Sequence, residues 1–349
     1  MNNIEIMPVI SYIGKIGYAY CKRKQVDHKE FIWHYNNREY SSYWQKFPFR
    51  FIIECRQPQV AIEEIFYVFN KIKNIEPDKF HEFHKGNPYY FLGLAYFQIR
   101  DYESAVYFIN AAVKEDLELK PPNNPSPATW FIELNSWSKR QAGRDLVKQA
   151  SHEMRGLVRS YNIIILKEGK KNTFSMKLLR DKMLRKAISI ANPKYQTIAT
   201  ALISYVLEFN IRFNAIKILD SLESIEPFAL HLLKGCVLLE SILKENPRLN
   251  HRIKSTDDLN KWVINKSSDL GISKNLKMKT KNLQSVIDDI PKGRLTLEDS
   301  FSLSCRIRNT ISHSLEWKIS ISEINYRKLY EAIGISCLHA INCLYTGER

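Results

Sequence analysis

Apolar residues that return every three or four positions over long stretches are the strongest constraint on this chain, because that period fits helices packed on helices. The run from Val60 to Ile72, following Pro58, places Ile62, Ile65, Phe66, Phe69 and Ile72 at helical spacing. Phe228, Leu232, Leu233, Cys236, Leu239 and Leu243 repeat the pattern between Pro227 and Pro247, and Leu329, Ile333, Cys337, Ile341 and Leu344 repeat it after Ser322. Turn formers are sparse, with 12 Gly and 13 Pro in 349 residues. The predicted fold class is therefore all-α. The length accommodates two or three domains with their own cores, and 44% hydrophobic residues argue against disorder.

Charge narrows the partners. The net charge of +15, from 52 Lys+Arg against 37 Asp+Glu, favours polyanions such as RNA, DNA or an anionic membrane surface, with solubility alone as the alternative. Cys21, Cys55, Cys236, Cys305, Cys337 and Cys343 form no Cys-x-x-Cys pair and lie in apolar segments, which fits a reducing cytoplasm. The stretch from Ile6 to Tyr20 is interrupted by Lys15 and preceded by Glu5, so no secretory signal is expected, and no apolar run reaches the span of a bilayer. No phosphate-binding Gly-x-x-x-x-Gly-Lys loop and no Gly-x-Ser-x-Gly elbow occurs. His81 and His84 lack a completing carboxylate or thiolate and read as surface residues. No cofactor and no metal are expected.

Taken in order, residues 1–80 form an aromatic-rich helical region, in which Phe31, Trp33, Tyr35, Tyr40, Tyr43, Trp44, Phe47, Phe49 and Phe51 need a core or a partner to cover them. Residues 81–225 follow as a second region. Within it Tyr89, Leu92, Gly93 and Tyr96, then Asp101, Tyr102, Ala105, Ile109 and Ala112, have the large and small residues of two antiparallel helices. This resembles one tetratricopeptide (TPR) repeat, although the Trp of the first helix and the terminal Pro are missing. Ala199, Leu202, Tyr205, Ala215, Ile216 and Leu219 give a second, weaker match over 196–222, read as another helix pair. Such surfaces bind peptides or proteins in that family, which implies an activator or antitoxin as partner. Pro121 to Pro127 is a loop by composition. Residues 139–186 are dense in base, including Arg155, Arg159, Lys167, Arg180 and Arg185, and suit either an RNA-tracking face or a solvated one.

Residues 226–349 read as a separate bundle of five helices. The first starts at Pro227. Thr256 and Asp257 are expected to cap a second that Gly271 stops, and a third is expected from Leu276 to Ile290. Thr296 and Asp299 make a capping box for the fourth, and Ser322 starts the fifth. On the fourth helix, a step of about 100° per residue puts Leu297, Phe301, Cys305, Ile311 and Leu315 on one apolar face together with Arg308. A guanidinium there needs a carboxylate, an anionic ligand or a subunit interface. Asn309 and His313 are four apart and stack along one edge. Arg, amide and imidazole together suit phosphodiester chemistry. Equally, Arg308 could pair with a buried carboxylate such as Glu240 while His313 covers the bundle edge.

Arg308-Asn309-Thr310-Ile311-Ser312-His313 resembles the Arg-Asn-x-x-x-His motif of HEPN-domain ribonucleases, and Leu232 to Lys244 resembles the first helix of those domains. The likeness covers residues 226 to 346. It implies metal-independent RNA cleavage by a cytoplasmic homodimer, with His313 as general acid or base on the ribose, Arg308 stabilising the pentavalent phosphate and Asn309 positioning the pair. Glu240 is a further orienting partner. The implied biology is a prokaryotic toxin or anti-phage effector. The alternative is a non-catalytic adaptor that uses a degenerate HEPN bundle for dimerisation or RNA binding.

Overall fold

The computed structural model describes residues 57–75, 77–82, 84–119, 126–135, 141–171, 173–188, 193–218, 226–245, 258–278, 282–311 and 321–345. The aromatic cluster from Phe31 to Phe51, Cys21, Cys55, Pro121 to Pro125, Leu315 and His313 lie outside the described residues. Among those described, the chain is all-α and contains no strand. It divides into two compact units, one comprising residues 1–131 and 135–148 and the other 132–134 and 149–349.

In the first unit, α1 (Pro58–Ile75) packs against α2 (Pro77–Glu82) and α3 (Gly86–Gln98), and α3 pairs closely with α4 (Tyr102–Leu119). The helix hairpin anticipated over these residues is present. Its tight approach occurs at Gly93, where an added Cβ would lie 2.5 Å from Ile109 Cγ1 and 3.0 Å from the Ala105 carbonyl oxygen. The reversal between the helices uses Arg100 at φ 65°, and Asp101 then accepts from the Ser104 amide at 3.0 Å to open α4. Around the seam, Tyr96 stacks on Phe108 with ring centres 5.3 Å apart. His84 is not a surface residue: it is buried with Nε2 3.3 Å from Asp116, under the first turn of α3, whereas His81 is exposed as expected. The short α5 (Pro127–Ile132) starts at the last proline of the composition-predicted loop.

The second unit is built on α10 (Glu226–Lys244), which packs against α9 (Pro193–Ile218), α11 (Leu259–Leu270), α13 (Leu297–Ile311) and α14 (Glu323–Leu344). The long α6 (Gln141–Lys167) leads into it, followed by α7 (Met176–Leu179), a π-helical turn over Arg180–Leu184, α8 (Arg185–Ala187), and the short α12 (Leu283–Asp288) between α11 and α13. Apolar faces from these helices meet in one core that includes Leu202, Tyr205, Cys236, Leu239, Phe301, Cys305, Ile333, Cys337 and Ile341, all without solvent exposure. Burial drives the Cys236, Cys305 and Cys337 thiols upward, so they serve as small apolar side chains.

Three expectations about local structure need correction. Residues 196–218 form no helix pair but belong to one continuous helix, because no Gly or Pro interrupts the sequence there and Phe209 and Phe213 extend its buried side. The α11 cap is Asp258, whose carboxylate accepts from the Lys261 amide at 3.0 Å; Gly271 ends the helix at φ 61° as predicted. The predicted helix over 276–290 is reduced to Leu283–Asp288, because Asn282 turns its side chain onto the Ser285 amide at 2.9 Å and starts the helix late. The Thr296–Asp299 box is formed in both directions, at 2.9 and 3.0 Å.

Two glycines of this unit separate crowding from open space. At Gly235 an added Cβ would meet the Tyr205 ring at 2.5 Å and Ile333 at 2.7 Å, and Tyr205 is fully buried and stacked on His231. Gly235→Ala is expected to destabilise by about 2 kcal/mol, overpacking outweighing the ~1 kcal/mol gain in helix propensity. Gly156→Ala, with nothing within 4 Å, is expected to gain up to ~1 kcal/mol, both changes being read from urea titrations of the variants.

Candidate functional site

The candidate site lies at the C-terminal end of α13, where three neighbouring arginine and asparagine side chains find three different partners. Through Ile307 the helix is enclosed, since α10, α11, α12 and α14 all pack on it. The arginine on the buried side is Arg306, only 2% exposed, which donates from Nη2 to Asp289 at 2.6 Å and to the Ser285 carbonyl at 2.9 Å. Two hydrogen bonds, from Lys277 and from Arg306, hold the Asp289 carboxyl below the usual carboxylate range. Arg308 does not share the fully buried stripe as the helical wheel suggested. It is half-buried, reaching toward Glu240 on α10, while Thr310 and Ile311 beyond it are buried again.

Arg308 Nε donates to Glu240 Oε2 at 3.2 Å, and Glu240 Oε1 accepts from Lys244 at 2.5 Å. One carboxylate thus holds two cations, so the Arg308–Glu240–Lys244 group retains a net positive charge. Glu240 is largely buried, while both cations keep more than a quarter of their side-chain surface in solvent. This is an arrangement in which a carboxylate fixes a guanidinium without hiding it. Asn309 Nδ2 donates to the Met278 carbonyl at 3.2 Å and so ties the segment before α12 to α13. Ser302 and Lys277 fasten the same segment through Ser302 Oγ to the Lys277 carbonyl and Lys277 Nζ to Asp289, each at 2.5 Å.

Of the residues anticipated from sequence, Arg308 and Glu240 are brought together, Asn309 lies beside them with a backbone partner of its own, and His313 falls outside the described residues. Lys244 and Arg306 were not anticipated. Lys244 had a signal, standing four residues after Glu240 on one helix. Arg306 had none: a step of about 100° per residue puts it opposite the apolar stripe, and only its bonds to Ser285 and Asp289 show that this side is covered as well. Removing the shared carboxylate in Glu240→Ala is expected to cost about 1 kcal/mol in urea unfolding, with a coupling of similar size to Arg308→Ala in a double-mutant cycle.

Two buried histidines of the unit are committed elsewhere. His231 Nε2 bonds the Tyr205 carbonyl at 2.9 Å and its Nδ1 bonds the Tyr326 hydroxyl at 2.7 Å. His339 repeats the arrangement with the Leu270 carbonyl at 2.7 Å and the Tyr161 hydroxyl at 3.0 Å. Burial pushes both imidazoles down to about 4. Neither ring has a free nitrogen for proton transfer at neutral pH.

Among the described residues, no group of three or more His, Cys, Asp or Glu side chains is placed to hold a metal ion, and no helix is long and apolar enough to cross a membrane. Comparison of the chain with protein-family models, curated proteins and solved structures finds no match in any of the three.

Proposed function

We propose that the chain is a metal-independent endoribonuclease of HEPN type, with a TPR-like helical region that takes a protein regulator and a C-terminal bundle that pairs with a second copy. The observation that carries the reading is the half-exposed Arg308 held by Glu240 at the end of α13, followed four residues after Asn309 by His313. The α3–α4 hairpin, close-packed at Gly93, supports the repeat reading of the first unit. In the reaction, the ribose 2′-oxygen attacks phosphorus as its proton passes to a base, and the 5′-oxygen leaves with a proton from an acid. The products are a 2′,3′-cyclic phosphate and a 5′-hydroxyl. His313 is assigned proton transfer and Arg308 the charge on the phosphorane, with Glu240 orienting the guanidinium. A toxin or antiviral effector in the cytoplasm is the setting this chemistry suits.

One observation favours a second reading, the non-catalytic adaptor. Glu240 already provides Arg308 with an acceptor, so the guanidinium has a structural role without any phosphate. Incubating the full chain with a mixed RNA pool in chelator separates the two. Cutting by wild type that is lost in both His313→Ala and Arg308→Ala supports the nuclease; the same background in all three proteins leaves the adaptor.

A further inference from the structure

The solvent face of α6 carries two cations that the candidate site does not use. Arg155 and Arg159 are exposed one turn apart, with the exposed His152 a turn before them and the apolar Ile163 and Leu166 after them, 40% and 62% in solvent. Glu153 is the single acid between Gln149 and Lys167, and its carboxylate turns away to bond Asn210. Between Gln149 and Lys167 that face therefore carries no acid of its own; the next is the exposed Asp145, nearer the start of the helix.

The row is extended by a neighbouring element. Asn162 bonds both the amide and the carbonyl of Phe174 at 2.8 Å, fixing the chain that leads into α7, the π-helical turn and α8 against α6. That turn brings Arg180 within electrostatic range of both Arg155 and Arg185. Arg180 is anchored, donating to the Glu133 and Leu134 carbonyls at 2.9 and 2.8 Å, and Arg185 is exposed with Asp181 at 2.5 Å. The fold thus sets the anchored Arg180, at the start of a π-helical turn of the kind often found at functional sites, near Arg155 on one side and Arg185 on the other. Asp181 pairs with Arg185, so an external anion would act first on the exposed Arg155 and Arg159.

We infer that the Arg155–Arg159–Arg185 face is a docking surface for the RNA backbone, separate from the candidate site on α13. Its choice of RNA as the polyanion rests on the nuclease reading. Guanidiniums one helical turn apart present the forked donors that phosphates accept, and contacts of this kind give affinity without sequence choice. An anionic bilayer fits less well. A helix lying in a membrane interface needs its apolar side free, and here Leu157, Val158, Tyr161, Ile164 and Ile165 are buried in the protein.

The test is fluorescence anisotropy of a labelled mixed-sequence single-stranded RNA, using the full chain with His313→Ala throughout, so that the probe survives whether or not the wild type cuts. Adding R155Q/R159Q/R185Q is expected to weaken binding about tenfold or more and to lower the slope of log affinity against log salt by about 2, at ~0.7 for each lost phosphate contact. Adding R155K/R159K/R185K restores most of the affinity. Neutralising three exposed lysines elsewhere, K73Q/K114Q/K194Q, gives a much smaller loss. Equal losses for both neutralised triples would reduce the effect to net charge and overturn the proposal, as would undiminished RNA binding by the arginine triple. Loss of binding to vesicles containing anionic phospholipid, with RNA affinity unchanged, would assign the face to a membrane instead. A wild type that fails to cut yet shows arginine-dependent RNA binding would remove the nuclease reading and keep this surface.

Discussion

Cleavage of RNA in chelator is expected to fall about 10²–10⁴-fold in His313→Ala, the range over which a general acid or base contributes to such a step. Arg308→Ala is expected to lose about 10²–10³-fold, the usual loss when a donor to a developing oxyanion is removed. The arginine also holds the end of α13 to α10 through Glu240, 3.2 Å away, so its variant must be compared at matched folded fraction, read from urea titrations. Glu240→Ala separates the two roles. It leaves the guanidinium present but no longer fixed, so cutting should drop less than in Arg308→Ala while the stability loss is similar. If Glu240→Ala and Arg308→Ala lose cutting and stability in the same proportion, the arginine acts through the fold alone. Mapping the cut ends discriminates further, since attack by the 2′-oxygen leaves a 2′,3′-cyclic phosphate and a 5′-hydroxyl.

How much of this was legible in the sequence differs by feature. The helix periods were read from residues that the structure buries, among them Val60, Ile65 and Phe69, then Phe228, Leu232, Cys236, Leu239 and Leu243, then Leu329, Ile333, Cys337, Ile341 and Leu344, because burial on one face and period in the sequence are the same fact. The Thr296–Asp299 box and the Ser322 and Gly271 boundaries were legible because local hydrogen bonding decides them. The late start of α12 was not, since a run of helix-compatible residues gives way to Asn282 only in competition with the segment tethered to α13. The wheel misplaced Arg308 for a related reason: a wheel shows direction but not how many helices surround the turn. Arg306 is covered by the segment that includes Ser285 and Asp289, whereas Arg308 meets only the Glu240 side chain and keeps part of its surface in solvent, although Thr310 and Ile311 beyond it are buried. The pairing of Arg308 with Glu240, across 68 positions, was legible only as one of three alternatives, because a lone arginine on an apolar face requires some acceptor without naming it.

The largest stability effect expected is acid unfolding of the second unit between about pH 6.5 and pH 4. His231 and His339 each have both ring nitrogens occupied in the neutral form, Nε2 by a backbone carbonyl and Nδ1 by a tyrosine hydroxyl. Protonation would place a second donor against a hydroxyl that must then reverse, within a site closed to water. Burial accordingly lowers both from the ordinary imidazole value of about 6.5 to about 4. The unfolded chain takes up these protons near pH 6.5 and the folded chain does not, so stability is fully present above that pH and declines as the pH falls toward 4. At ~1.4 kcal/mol per unit, each ring accounts for about 3 kcal/mol, a large share of the ~5–15 kcal/mol that holds a typical domain folded. Glu153 and Glu331, which burial raises, act in the opposite direction and soften the decline. Glu208 is raised by burial but lowered further by Lys234, and the resulting net depression adds to the loss at the acid end. Urea midpoints measured from pH 7.5 to 4.5 should therefore fall steeply in wild type. His231→Phe and His339→Phe should each begin lower at pH 7.5, having lost two hydrogen bonds, and then decline with a shallower slope, by up to one proton. A wild-type midpoint that stays level across this range would mean that the rings are already protonated in the folded chain, and that the tyrosine hydroxyls do not donate to them.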